Sequence, residues 1–146
     1  LSVDEPAAKK LTPEELSRLE EAFEQVPYAR LLGLVFIGAE RGAATFALDV
    51  REELTRIGGI LHGGAIVSLM DTAAAFAVHT LLEPTERTVT VDLTVHFLRP
   101  AASAGRVEAR AIVLRAGRRI LILNVEAKDE RNALIATSTM TYYKQV

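Results

Sequence analysis

The chain of 146 residues carries 17 Lys+Arg against 19 Asp+Glu, 49% hydrophobic residues, 5% aromatics and neither Cys nor Trp. That length suits one domain, the apolar share sets it apart from disordered chains, and the charge balance lacks the basic surface of a nucleic-acid binder. With no Cys there is no disulfide framework, zinc–thiolate site, iron–sulfur cluster or thiol nucleophile, which leaves chemistry to carboxylates, His, hydroxyls and backbone groups.

The first ten residues, LSVDEPAAKK, mix charges and lack the apolar run of a secretory leader, so the expected location is cytoplasmic. Thr12-Pro13-Glu14-Glu15 then predicts a helix start. Thr suits the cap, Pro the first helical position, and Glu15 completes a capping box. Leu16, Leu19 and Phe23 follow at helical spacing, and the helix is expected to end at Val26-Pro27. Residues 1–27 therefore read as a tail with a short amphipathic helix, and 28–146 as the main domain. Val35-Phe36-Ile37 and residues 45–48 read as strands around a turn at 38–42. Residues 51–59 form a polar loop ending in glycines.

A long apolar helix is expected over 63–82, stopped by Glu83-Pro84-Thr85-Glu86. Residues 62–82 approach the length of a membrane span, but they include His62, Asp71 and His79. An Asp at the centre of a span costs roughly 2.5–3.5 kcal/mol on insertion scales. A helix buried within a globular domain is the better reading, without membrane association. Residues 88–98 alternate strictly, with Val89, Val91, Leu93, Val95 and Phe97 on one face. Thr88, Thr90, Asp92, Thr94 and His96 fall on the other. Strands at 107–114, 120–127 and 135–143 follow, and short turns imply antiparallel pairing. One long helix covers six strands only if the sheet curls around it, which predicts an α+β domain with an antiparallel curved sheet wrapped around a buried helix. Its open edge strands favour self-association.

No G-x-S-x-G elbow, P-loop or G-x-G-x-x-G fingerprint occurs, and His62, His79 and His96 are too dispersed for a metal motif. No metal or cofactor is expected. One cluster remains, Gly58-Gly59-Ile60-Leu61-His62-Gly63-Gly64 followed by Asp71. Glycines at a helix start let a ligand approach N–H groups that have no partner within the helix, and a developing oxyanion suits them. Asp71 lies eight residues beyond Gly63, about 12 Å along the axis at 1.5 Å per residue. One helix therefore cannot bring both to one atom, and joint action requires two copies of the chain. A buried carboxylate needs a partner, so Asp71 is either functional or a satisfied structural group.

The run GGILHGGAIVSLMDTAAAFAV resembles the central-helix signature of hotdog-fold acyl-CoA thioesterases, in particular the PaaI-like branch with its H-G-G-x6-D pattern. TVTVDLTVHFLRP resembles the next strand of that family. The resemblance implies a hotdog fold and a homodimer paired into a homotetramer, with acyl-CoA sites between subunits. Coenzyme A then belongs to the substrate. By position, Asp71 matches the carboxylate that acts as general base or nucleophile, and Gly63 the N–H that polarises the thioester carbonyl. His62 matches the motif histidine, which positions that carbonyl or serves the loop structurally. Thr90 falls near a hydroxyl position that holds the attacking water. Gly64 and Arg56 are assigned to substrate binding, although Arg56 stands where many relatives carry Asn. That departure points to another way of holding water, an ion pair with Asp71 or a different acyl group. Two other readings compete. A hotdog dehydratase or hydratase uses a different motif, and a non-catalytic acyl-CoA sensor needs an output domain.

Overall fold

The computed structural model describes residues 9–101 and 105–145, so the first eight residues of the expected tail lie outside the described part. Helix α1 spans Pro13–Glu24. The capping box forms as its sequence implies: Thr12 Oγ1 accepts from the Glu15 N–H (3.2 Å), and the Thr12 N–H donates to Glu15 Oε2 (2.8 Å). A second helix, α2 at Pro27–Leu32, lies where the sequence shows no periodicity. Gly33 closes it in the left-handed region (φ +71°), and Arg51 donates to the carbonyls of Leu31 and Leu32 (2.7 Å each). A guanidinium from a distant loop thus supplies what six residues cannot supply for themselves.

Strands β1 (Leu34–Glu40) and β2 (Ala43–Asp49) form a hairpin, and Gly42 at its turn takes φ +82°. After one short 3-10 turn at Glu52–Leu54 comes the long helix α3, Gly63–His79. It ends three residues before the expected Leu82. Thr80 follows it, accepting from the Gly42 N–H and donating to the Ala77 carbonyl (2.7 Å each), which ties the helix end to the hairpin turn. Among the described residues no helix is long and apolar enough to cross a membrane.

Strands β3 (Arg87–Phe97), β4 (Arg106–Ala116), β5 (Ile120–Lys128) and β6 (Leu134–Gln145) complete one antiparallel sheet in the order β1-β2-β4-β5-β6-β3. The expected pairing of successive strands holds for β4, β5 and β6 but not for β3, which pairs with β6 at the far edge. Pro100 breaks the chain after β3, and the Ala101 carbonyl accepts from the Leu61 N–H (3.3 Å), so the connection runs past the loop before α3 instead of turning back. The sheet curls around α3, with Ala109, Ala111, Ala127 and Ala136 among its buried inner residues. Phe46 is fully buried where α1, β1 and α3 converge, its ring centroid 5.0, 5.3 and 5.2 Å from those of Phe23, Phe36 and Phe76. Phe36 and Phe76 are therefore core residues.

The wrapping is incomplete. Gly64, Val67, Ser68, Asp71, Thr72 and Ala75 recur at helical spacing along α3 and stay partly or fully exposed. This stripe is the side of the helix that the sheet of one chain does not reach.

Candidate active site

The N-terminus of α3 is built by His62. Its Nδ1 accepts from the Gly64 N–H (2.8 Å), capping the helix as Asn or Ser does elsewhere. A Cβ on residue 64 would fall 2.9 Å from that nitrogen, so glycine here is what admits the cap. A neutral ring that accepts at Nδ1 carries its proton on Nε2, which makes Nε2–H a donor directed away from the cap. The Gly64 N–H is consumed by this bond, whereas the Gly63 N–H has no partner among the described residues. The ring of Phe97 lies against Gly63, 3.2 Å from where a Cβ would stand, although Phe97 itself is 54% exposed. His62→Ala should lower stability by about 1 kcal/mol, the usual worth of a helix cap, while His62→Asn retains most of it. Urea midpoints for the three proteins check this.

Asp71 sits two turns further along the exposed stripe. Its Oδ1 accepts from Thr90 Oγ1 (3.1 Å) and from Tyr142 Oη (2.5 Å), and Oδ2 has no partner among the described residues. The same phenol lies 2.9 Å from the Asp71 main-chain carbonyl. Thr90 and Tyr142 face each other across the β3–β6 ladder. The strict alternation of β3 would place Thr90 opposite in face to Leu93 and Val95. Instead the register shifts between Thr90 and Asp92, with Val91 as the extra residue of a bulge. The pleat changes phase there. Thr90 reaches the helix on one side of the bulge, and Leu93 and Val95 pack on the core beyond it, while Val89 and Val91 are exposed.

Tyr142 is the site residue that sequence reasoning missed. It is 2% exposed. Burial, the Asp71 charge and the hydrogen bond to Asp71 push its phenol far above the ordinary range, against a smaller opposing effect of the Thr90 hydroxyl. The phenol therefore keeps its proton and is a fixed donor. The available signal was that Ser138, Met140 and Tyr142 share the inner face of β6, where a phenolic hydroxyl needs a partner. Nothing in the sequence links it to a carboxylate 71 residues away.

Arg56 lies on the exposed loop ahead of α3, where its guanidinium donates to the Ile57 carbonyl (2.9 Å). No ion pair joins it to Asp71 among the described residues. His79 stacks on Phe76, with ring centroids 5.9 Å apart, and burial followed by the Arg87 charge lowers its pKa. His96 is exposed on β3. Among the described residues no three His, Asp or Glu side chains gather as a metal site would require. The site thus offers one carboxylate oxygen left free on an open helix face and one unpartnered N–H at the start of that helix.

Residues 58–136 match the thioesterase superfamily. The chain is 32% identical to the medium/long-chain acyl-CoA thioesterase YigI of Salmonella typhimurium, over 90% of this chain and 96% of the relative. A crystal structure of a thioesterase from Haemophilus influenzae superposes with a TM-score of 0.80 at 27% identity, covering 94% of this chain and 93% of that one. A mutant of the phenylacetic acid degradation protein PaaI from Thermus thermophilus superposes with a TM-score of 0.74 at 32% identity, covering 80% and 97%.

Proposed function

This chain belongs to the thioesterase superfamily as a PaaI-like hotdog enzyme, and from that premise we propose that it hydrolyses acyl-CoA thioesters to the free acid and CoA. The observation that carries the proposal is Asp71, a carboxylate held at one oxygen and free at the other on an otherwise apolar helix. YigI, similar over 90% of this chain, supports CoA as the thiol portion.

In this reading Asp71 takes a proton from water as the water oxygen bonds to the thioester carbon. The carbonyl oxygen gains the charge and meets the Gly63 N–H, with His62 Nε2–H as a second donor. Collapse of the tetrahedral adduct breaks the C–S bond, and the departing thiolate recovers the proton. A thioester is activated enough that no Ser–His–Asp triad is needed. Arg56, on the loop ahead of α3, supplies a cation for the anionic substrate.

Two copies of the chain make one site. Gly63 and Asp71 stand about 12 Å apart along their helix, too far to share one reacting carbon. Among the described residues nothing pairs with the outer edge of β3, which carries exposed Val89, Val91 and Phe97, with Leu98 beside it. An edge of this kind suits a second copy, giving a homodimer that pairs further into a homotetramer.

The test is steady-state hydrolysis of short-, medium- and long-chain and aryl CoA thioesters, followed by release of the CoA thiol. Turnover of at least one class is the expected result. Inactivity across the whole panel overturns the proposal.

A further inference from the structure

Tyr142 touches neither the helix N-terminus nor solvent, yet it makes the shortest side-chain contact to Asp71. Its phenol has one hydrogen, and two acceptors lie within reach: Oδ1 at 2.5 Å and the Asp71 main-chain carbonyl at 2.9 Å. Thr90 donates to the same Oδ1 from the opposite strand. Both neighbours converge on one oxygen, and among the described residues none reaches the other. We propose that Tyr142 is a positioning residue that, with Thr90, fixes the rotation of the Asp71 carboxylate and thereby assigns Oδ2 as the oxygen that acts on the substrate. This rests on Asp71 being the catalytic carboxylate and extends it to the level of a single atom.

The physical argument concerns the side-chain rotation of Asp71. A carboxylate on a half-exposed helix face turns about its Cβ–Cγ bond through a broad range, because terminal torsions of this type have shallow wells. Two donors on one oxygen remove that freedom before substrate arrives. Tyr142 is itself held by burial within β6, and a permanently protonated phenol never becomes a second negative charge beside Asp71. Thr90 then holds the carboxylate itself, a different task from retaining the attacking water.

The test compares wild type, Tyr142→Phe, Asp71→Asn and the double variant on the best CoA thioester. Tyr142→Phe keeps the ring and removes one oxygen. Its kcat should fall at least tenfold, as expected for a misaimed catalytic group, with KM within about twofold of wild type. In the Asp71→Asn background the same substitution should change residual turnover by less than twofold, because no reacting carboxylate is left to aim. A kcat loss below tenfold, a change in KM alone, or an equal loss persisting without Asp71 overturns the inference. High activity of Asp71→Asn would instead overturn the reading on which it rests. If Tyr142→Phe does not fold, Thr90→Val, which removes the other donor to Oδ1, must show the same pattern of kcat, KM and Asp71 dependence.

Discussion

Asp71→Asn is expected to lower kcat for acyl-CoA hydrolysis by about 10²–10⁴-fold, the range that general acid–base catalysis supplies. The amide is nearly the same size and retains a carbonyl oxygen for Thr90 and Tyr142, so the fold should survive. What disappears is the ability to take a proton from water. The thermal midpoint and oligomeric state, measured beside kcat, separate this from unfolding. Undiminished hydrolysis by a folded Asp71→Asn protein would remove Asp71 from the mechanism.

The second large effect is expected from Gly63→Pro, which deletes one N–H and adds three ring carbons. Residue 63 is the first of α3, the position where a helix tolerates Pro. His62 before it has φ −63° and ψ 135°, the extended conformation that a following Pro requires. The added ring atoms meet Phe97, and Gly63→Ala makes a comparable contact while keeping the N–H. The expected result is a loss of about 10²–10³-fold in kcat for Gly63→Pro, the usual cost of removing one oxyanion donor, and a much smaller loss for Gly63→Ala. Equal losses for both would assign the effect to Phe97.

These two variants together also test the shared site. If each site takes Gly63 from one chain and Asp71 from the other, a mixed dimer of Asp71→Asn and Gly63→Pro chains holds one intact site and one doubly damaged site. Random assortment makes half the dimers mixed, so activity should return to about a quarter of wild type. Sites confined within one chain would regain nothing on mixing.

Most elements were legible because their periods are long. α3 announces itself by a 17-residue run in which only Ser68, Asp71, Thr72 and His79 are polar, and β4, β5 and β6 by alternation bounded by turns. The candidate residues on α3 were legible for a different reason: a carboxylate in that setting demands an explanation. α2 was not, because six residues are too few to show a helical period and its closing partner, Arg51, lies 19 residues past its end. The place of β3 at the far edge was hidden because neighbouring strands usually pair, and the exception is made by contacts of the 98–101 connection. Tyr142 was invisible as a partner of Asp71 because only the strand order brings β6 beside β3 and beneath that turn of the helix.

The bulge at Val91 also determines which kinds of mutation β3 can absorb. Sequence alternation continues unbroken through it, so exchanging one residue for another leaves the arrangement of faces intact. A deletion at the bulge does so too. Without Val91, Thr90 would stand two places before Leu93, so a regular pleat would turn Thr90 and the Leu93–Val95 pair toward the helix together. The hydroxyl beside the carboxylate and the apolar packing beyond it are joined by parity, and β3 can shed its extra residue without parting them.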